Sequence, residues 1–202
     1  NGRSRIKITS DGGNIKIETS NKSIGKYNSK NEIQWKTSLE KSGHIEIFDI
    51  EEISNGVYYA VGYIGGSVTI SKDAMENAES DYTIETPGER IASAVLIKLN
   101  KYGKVTSVEK IGKTTKNSFA YWIRPLKDGS YVIYNKFSDI AEFDESQTES
   151  GQKIETSGGV IIHYNRDGKI IRAISIQGYE LDTLEILSGD FDGSKYVISA
   201  KT

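Results

Sequence analysis

The phrase Ile17-Glu18-Thr19-Ser20 returns as Ile84-Glu85-Thr86-Pro87 and again as Ile154-Glu155-Thr156-Ser157, 67 and then 70 residues on. Tyr27-Asn28 lies ten residues after Ile17, and Tyr164-Asn165 lies ten after Ile154. Self-similarity at a fixed long period marks a chain built from repeated supersecondary units. The units run over about 1–66, 67–138 and 139–202, and the whole is expected to form one repeat domain, as part of a longer chain.

Working outward from the repeated phrase, the units read as β. Tyr, Ile, Val and Thr gather in short alternating runs such as Ile45-Glu46-Ile47-Phe48-Asp49-Ile50, which suit half-buried strands. Each unit carries two hairpins. The first turns on Asn28–Asn31, Asn100–Gly103 and Asn165–Gly168; the second on Ser54-Asn55-Gly56, Lys127-Asp128-Gly129 and Asp192-Gly193-Ser194. Asn, Asp and Gly suit these places because tight hairpin turns need positive φ. A Tyr-rich strand follows each second turn, as at Tyr58-Tyr59 and Tyr131–Tyr134. Residues 72–79 are the one stretch that reads as a helix, of two turns.

An extra segment precedes each four-stranded unit, leaving blade-like stretches at about 24–66, 93–138 and 158–202. In the first copy it is a plain hairpin, Ile6–Thr9 and Asn14–Glu18 around Asp11-Gly12-Gly13. In the other two it is longer and acidic. Residues 67–92 hold six acids against two bases, and 139–157 hold six against one, while the whole chain is only −2. Insertions at equivalent repeat positions emerge on one face, so an acidic rim over mildly basic units is expected. Such a rim would attract Ca²⁺ or a basic partner surface, or serve solubility alone.

Two lines of the repeat resemble a known family. Val95-Leu96-Ile97-Lys98-Leu99-Asn100 with Gly103-Lys104-Val105, and Val160-Ile161-Ile162-His163-Tyr164-Asn165 with Gly168-Lys169-Ile170, resemble the opening line of bacterial cell-surface β-propeller repeats of the SBBP type. Asp128-Gly129-Ser130-Tyr131-Val132-Ile133 and Asn55-Gly56-Val57-Tyr58-Tyr59-Ala60-Val61-Gly62 are similar to their closing line, and Gly112 and Gly178 match a further Gly of the family. The first copy departs with Asn31 for the turn Gly, and the second and third lack the Trp that the first carries as Trp35. The resemblance implies three four-stranded antiparallel repeats as β-propeller-like blades with inserted hairpins. It also implies an extracellular or cell-envelope setting and no enzymatic activity. Three blades do not close a ring, which leaves a longer parent protein, self-association of open repeat edges, or an open array. A β-trefoil, also threefold, is the alternative fold, and a β-sandwich with long loops the third.

The chain is free of cysteine, which excludes disulfides, thiolate nucleophiles and Cys-based zinc sites. Its charge gives no sign of nucleic acid, its apolar runs are too short to span a bilayer, and its start does not read as a secretion leader. His44 follows Lys41-Ser42-Gly43 in an expected turn, and His163 matches Lys26 and Lys98, an expected solvent-facing position. No Ser/His/Asp arrangement or phosphate loop is suggested. Asp190-Phe191-Asp192-Gly193 resembles the start of a calcium loop and equally a hairpin turn, making Asp190 and Asp192 the candidate Ca²⁺ ligands. Tyr121-Trp122 and Trp35 are the candidate sugar-stacking residues, set at different places in the repeat. The expected function is a non-catalytic bacterial surface or secreted scaffold or spacer for adhesion or recognition of a protein or glycan; a carbohydrate- or Ca²⁺-binding module is the alternative.

Overall fold

A computed structural model describes residues 6–18 and 22–176 in full, and residues 185–191 and 196–201 by their backbone. The protein is all-β: three four-stranded antiparallel meanders follow one another along the chain, then a hairpin. The first sheet comprises β1 (Ile6–Ile8), β2 (Asn14–Ile17), β3 (Ser23–Tyr27) and β4 (Ile33–Ser38). The second comprises β5 (Ser42–Ser54), β6 (Val57–Ile70), β8 (Ala92–Leu99) and β9 (Val105–Lys110), with β7 (Tyr82–Glu85) on the far end of β6. The third comprises β10 (Ser118–Pro125), β11 (Tyr131–Phe143), β12 (Ile154–Tyr164) and β13 (Ile170–Ile176). The closing hairpin is β14 (Glu185–Phe191) with β15 (Tyr196–Lys201). Among the described residues no named strand pairs into a neighbouring sheet, as the closed barrel of a trefoil would require.

The sheets are cut half a unit out of step with the sequence repeat. The hairpin at Asn28–Asn31 belongs to the first sheet, and the hairpin at Asn55-Gly56 to the second. β6 pairs with β8 across the whole acidic segment, as Ala60↔Ile97 and Val61↔Leu96 show. The inserted segments of the second and third copies pair as hairpins, whereas the first copy's hairpin is β1 and β2 of the first sheet itself, not an addition to a four-stranded unit at 24–66. Val68 pairs with Ile84 in the second sheet, and Glu142 with Glu155 in the third.

The three repeated turns are built alike. The side-chain oxygen of Asn28 accepts from the N–H groups of Lys30 and Glu32, that of Asn100 from Tyr102 and Lys104, and that of Asn165 from Asp167 and Lys169. Gly103 and Gly168 take φ of 76° and 80°, and Asn31 takes 62° in the same place. Asn is among the few side chains that tolerate this conformation, which is why the first copy dispenses with the Gly.

Successive sheets pack face to face. Ile15, Ile17 and Ile24 of the first meet Ile47, Ile64 and Ile97 of the second in one cluster. Val61 and Leu96 of the second meet Ile123, Ile133 and Ile162 of the third in another. Burying each such side chain contributes about 1.5–3 kcal/mol. Trp122, Val132, Tyr134 and Ile161 line the far side of the third sheet, whose β10 touches β14.

The acidic segments are straps folded onto the outer strands. Residues 72–79 make only a single 3₁₀ turn, Lys72–Ala74, rather than a two-turn helix. Asn77 has φ of 54°, and the Glu76 N–H donates to the Val105 carbonyl of β9, so the helix cannot continue. The third sheet repeats the device with a 3₁₀ turn at Glu145–Gln147, where Glu149 N–H donates to Ile170 O of β13. Glu76 then accepts from the Asn100 amide at 2.7 Å and Glu149 from Asn165 at 2.9 Å. Lys104 and Lys169 donate to the Asp73 and Ser146 carbonyls. Asp81 pairs with Lys41, and Lys153 with Glu142 and Glu155. Much of the strap charge is therefore engaged within the protein.

Candidate functional site

The clefts arise where one sheet meets the next, and the first strands of the sheets fix the joints. Lys7, Glu51 and Arg124 stand at the same place in three successive sheets, each paired eight residues on, with Ile15, Tyr59 and Val132. Lys7 Nζ lies 2.5 Å from Glu51, and Arg124 lies 3.0 Å from it. Asp49, with a fully buried side chain, accepts from Arg124 and from the Ile123 N–H, with Lys7 at 3.6 Å. Burial pushes the Glu51 carboxyl above its ordinary value in spite of Lys7 and Arg124 beside it.

Two bulges sharpen the second joint. Phe48 is the extra residue between Ile47 and Asp49, and Tyr121 the extra residue between Ala120 and Trp122. A bulge bends the strand and re-aims a side chain. Phe48 and Tyr121 stack with ring centres 5.3 Å apart and planes 4° from parallel. Tyr63 and Phe119 extend this half-buried aromatic row, and His44 closes it with Nε2 2.9 Å from the Tyr63 hydroxyl. Tyr63 donates in turn to Glu46, and burial with that carboxylate pushes its hydroxyl up to about 12. His44 is therefore a strand residue of β5 rather than part of a turn. The row escapes sequence reading because its members come from strands far apart in the chain.

The position shared by Lys26, Lys98 and His163 is not solvent-facing. Lys26 is 2% exposed and His163 is fully buried. Lys26 Nζ bonds both Asp11 carboxylate oxygens, at 3.0 and 2.8 Å, with Tyr27 O at 3.1 Å and Gln34 Oε1 at 2.9 Å. The Lys26 bond, with those of Thr9 and the Gly13 N–H, lowers the Asp11 carboxyl to about 2. His163 Nε2 lies 2.8 Å from Ser130 Oγ, which donates to Asp128 at 2.6 Å. Burial holds the imidazole below its ordinary value. A buried charge or dipole survives when bonded, and here the partners lie at the adjoining hairpin turn.

Trp122 is 4% exposed and stacks on Tyr134 within the third cluster, so it presents no stacking face to solvent. Tyr121, half-buried, belongs to the aromatic row. Trp35 is half-buried and lines a cleft of about 520 Å³ between the first and second sheets. Its Nε1 donates to Lys101 O at 3.0 Å, and its ring meets Tyr58 edge-on at 5.7 Å. Tyr102, 67% exposed at the tip of the β8–β9 turn, completes the rim; sequence reading passed over it as a turn residue. The structure thus does not bring the three predicted aromatics together. Asp190 lies in β14, and Asp192 lies outside the described residues. Among the described residues no group of three or more His, Asp or Glu could hold a metal ion, and no helix is long and apolar enough to cross a membrane.

No protein-family model matches the chain, and no curated protein matches it.

Proposed function

We propose that the protein is a non-catalytic recognition scaffold, a propeller-like repeat domain of the bacterial surface or envelope that displays binding clefts between rigidly seated sheets. The observation that carries the reading is the joint. One network, Lys7 with Asp49, Glu51 and Arg124, ties the first strands of three successive sheets. The cleft linings vary while the joint repeats: Trp35 stands opposite Lys26, whereas Ser107 stands opposite Lys98. Stacked repeats that keep their packing and vary their surface use that surface to bind. The surface setting rests on the likeness to the SBBP-type repeats.

The test is retention under flow. Beads coated with the protein are passed over surfaces bearing glycans, matrix proteins or neither. Retention on one class of surface is expected. Failure on every surface that holds a weak lectin control overturns the recognition reading, as does turnover of a chromogenic hydrolase panel.

A further inference from the structure

We infer that the cleft between the first two sheets binds a neutral oligosaccharide, with Tyr102 as its exposed stacking ring; this rests on the recognition reading and names its ligand class. The repeat does not require an aromatic at either place. Tyr102 lies two residues after Asn100, and the same place after Asn165 holds Asp167. Trp35 and Tyr102 at the first joint thus correspond to Ser107 and Asp167 at the second. An aromatic pair placed at one joint and not at its equivalent is a property of that cleft, not of the repeat.

The charges of the cleft point to an uncharged ligand. Asp11 is engaged by Lys26, and Glu52 accepts from the Ser10 N–H and hydroxyl and from the Gly56 N–H. With Lys101 the lining holds two acids and two lysines, so no field favours either sign. Besides the two rings and Lys101, whose ammonium lies 5.0 Å from the Tyr102 ring centre, a ligand meets neutral groups: the NH₂ of Gln34, whose Oε1 is held by Lys26, the amide of Asn55 and the Tyr58 hydroxyl. A sugar ring matches that set, with an apolar C–H face for the aromatic and hydroxyls for the amides. Tyr102 also lines a second cleft of about 320 Å³ on its other side. A ring on the ridge between two clefts suits an extended chain of sugars better than a single one.

Calorimetric titration with cellotetraose, maltotetraose, chitotetraose and mannotetraose, and with their monosaccharides, tests this. One tetrasaccharide should bind with Kd of about 1 mM or below and more tightly than its monosaccharide. Tyr102→Ala should weaken it about tenfold or more, whereas Asp167→Ala at the second joint should not. Circular dichroism melts verify that both variants fold. No heat from any of the four tetrasaccharides, or binding indifferent to Tyr102→Ala, overturns the inference. If the coated beads nonetheless hold to a protein surface, the sugar assignment fails and the recognition reading stands. If they hold to nothing, the recognition reading itself fails.

Discussion

Gly103 lies flat against the indole of Trp35: a methyl group built on its Cα would stand 2.4 Å from the ring. The turn of the second sheet is thereby seated on a side chain of the first. Gly103→Ala meets both that contact and a φ of 76°. Left-handed strain and overpacking together should cost about 3 kcal/mol, lowering Tm by roughly 6–12 °C. In a Trp35→Ala background the clash with the ring disappears and Thr37 Oγ1, 2.8 Å from the same methyl, remains, so the two substitutions should be less than additive in thermal melts. Strict additivity would show that the contact carries no energy.

Arg124 is the main counter-charge of Asp49. Arg124→Met leaves that buried carboxylate with Lys7 at 3.6 Å and the Ile123 N–H. A loss of about 3–5 kcal/mol is expected from urea unfolding. Asp49→Asn added to Arg124→Met should recover part of it, because the residual group is then neutral.

Asn100 tests the straps. Asn100→Asp keeps the acceptor for Tyr102 and Lys104 but sets a carboxylate against Glu76. Destabilisation of about 1–2 kcal/mol at pH 7 is expected, with recovery when Glu76→Gln is added. Hydrogen exchange should quicken at the Glu76 amide, which the strap bonds to β9.

Asp11 and His163 contribute acid sensitivity in separate windows. The Asp11 carboxyl is depressed in the folded protein. Its contribution is complete above the unfolded value of about 4 and is lost as pH falls toward about 2. Asp11→Asn should therefore be less stable than the parent at pH 7, and the gap should close below about pH 4. His163 is also depressed, by burial. The unfolded chain takes up its proton near pH 6.5 while the folded one does not, so stability falls as pH drops below about 6.5. His163→Gln should flatten that upper limb and leave the lower one, read as urea midpoints across the range.

The turns were legible because their chemistry is local: Asn28, Asn100 and Asn165 each bond within four residues of themselves. The sheet boundaries were not. A repeat gives its period but not its phase, and the β6–β8 pairing spans the second strap. Lys26 and His163 misled for a related reason. Their types signal solvent, and only the fold supplies Asp11, Gln34 and Ser130 to satisfy them. Trp35 and Trp122 were equal candidates in the sequence. The third sheet buries Trp122, while the first joint leaves Trp35 on a cleft with Tyr102. The helix expected at 72–79 gave way because tertiary bonds to β9 claim its backbone.

The equivalent residues Lys7, Glu51 and Arg124 alternate in sign along the array. That alternation limits how such a gene can grow or shrink. Deleting the middle sheet would bring Lys7 beside Arg124, two cations with no carboxylate between them. Duplicating a single sheet would set like charges side by side in the same way. Gain or loss of sheets in pairs preserves the sequence of signs, so growth by even steps leaves every seam matched without further change.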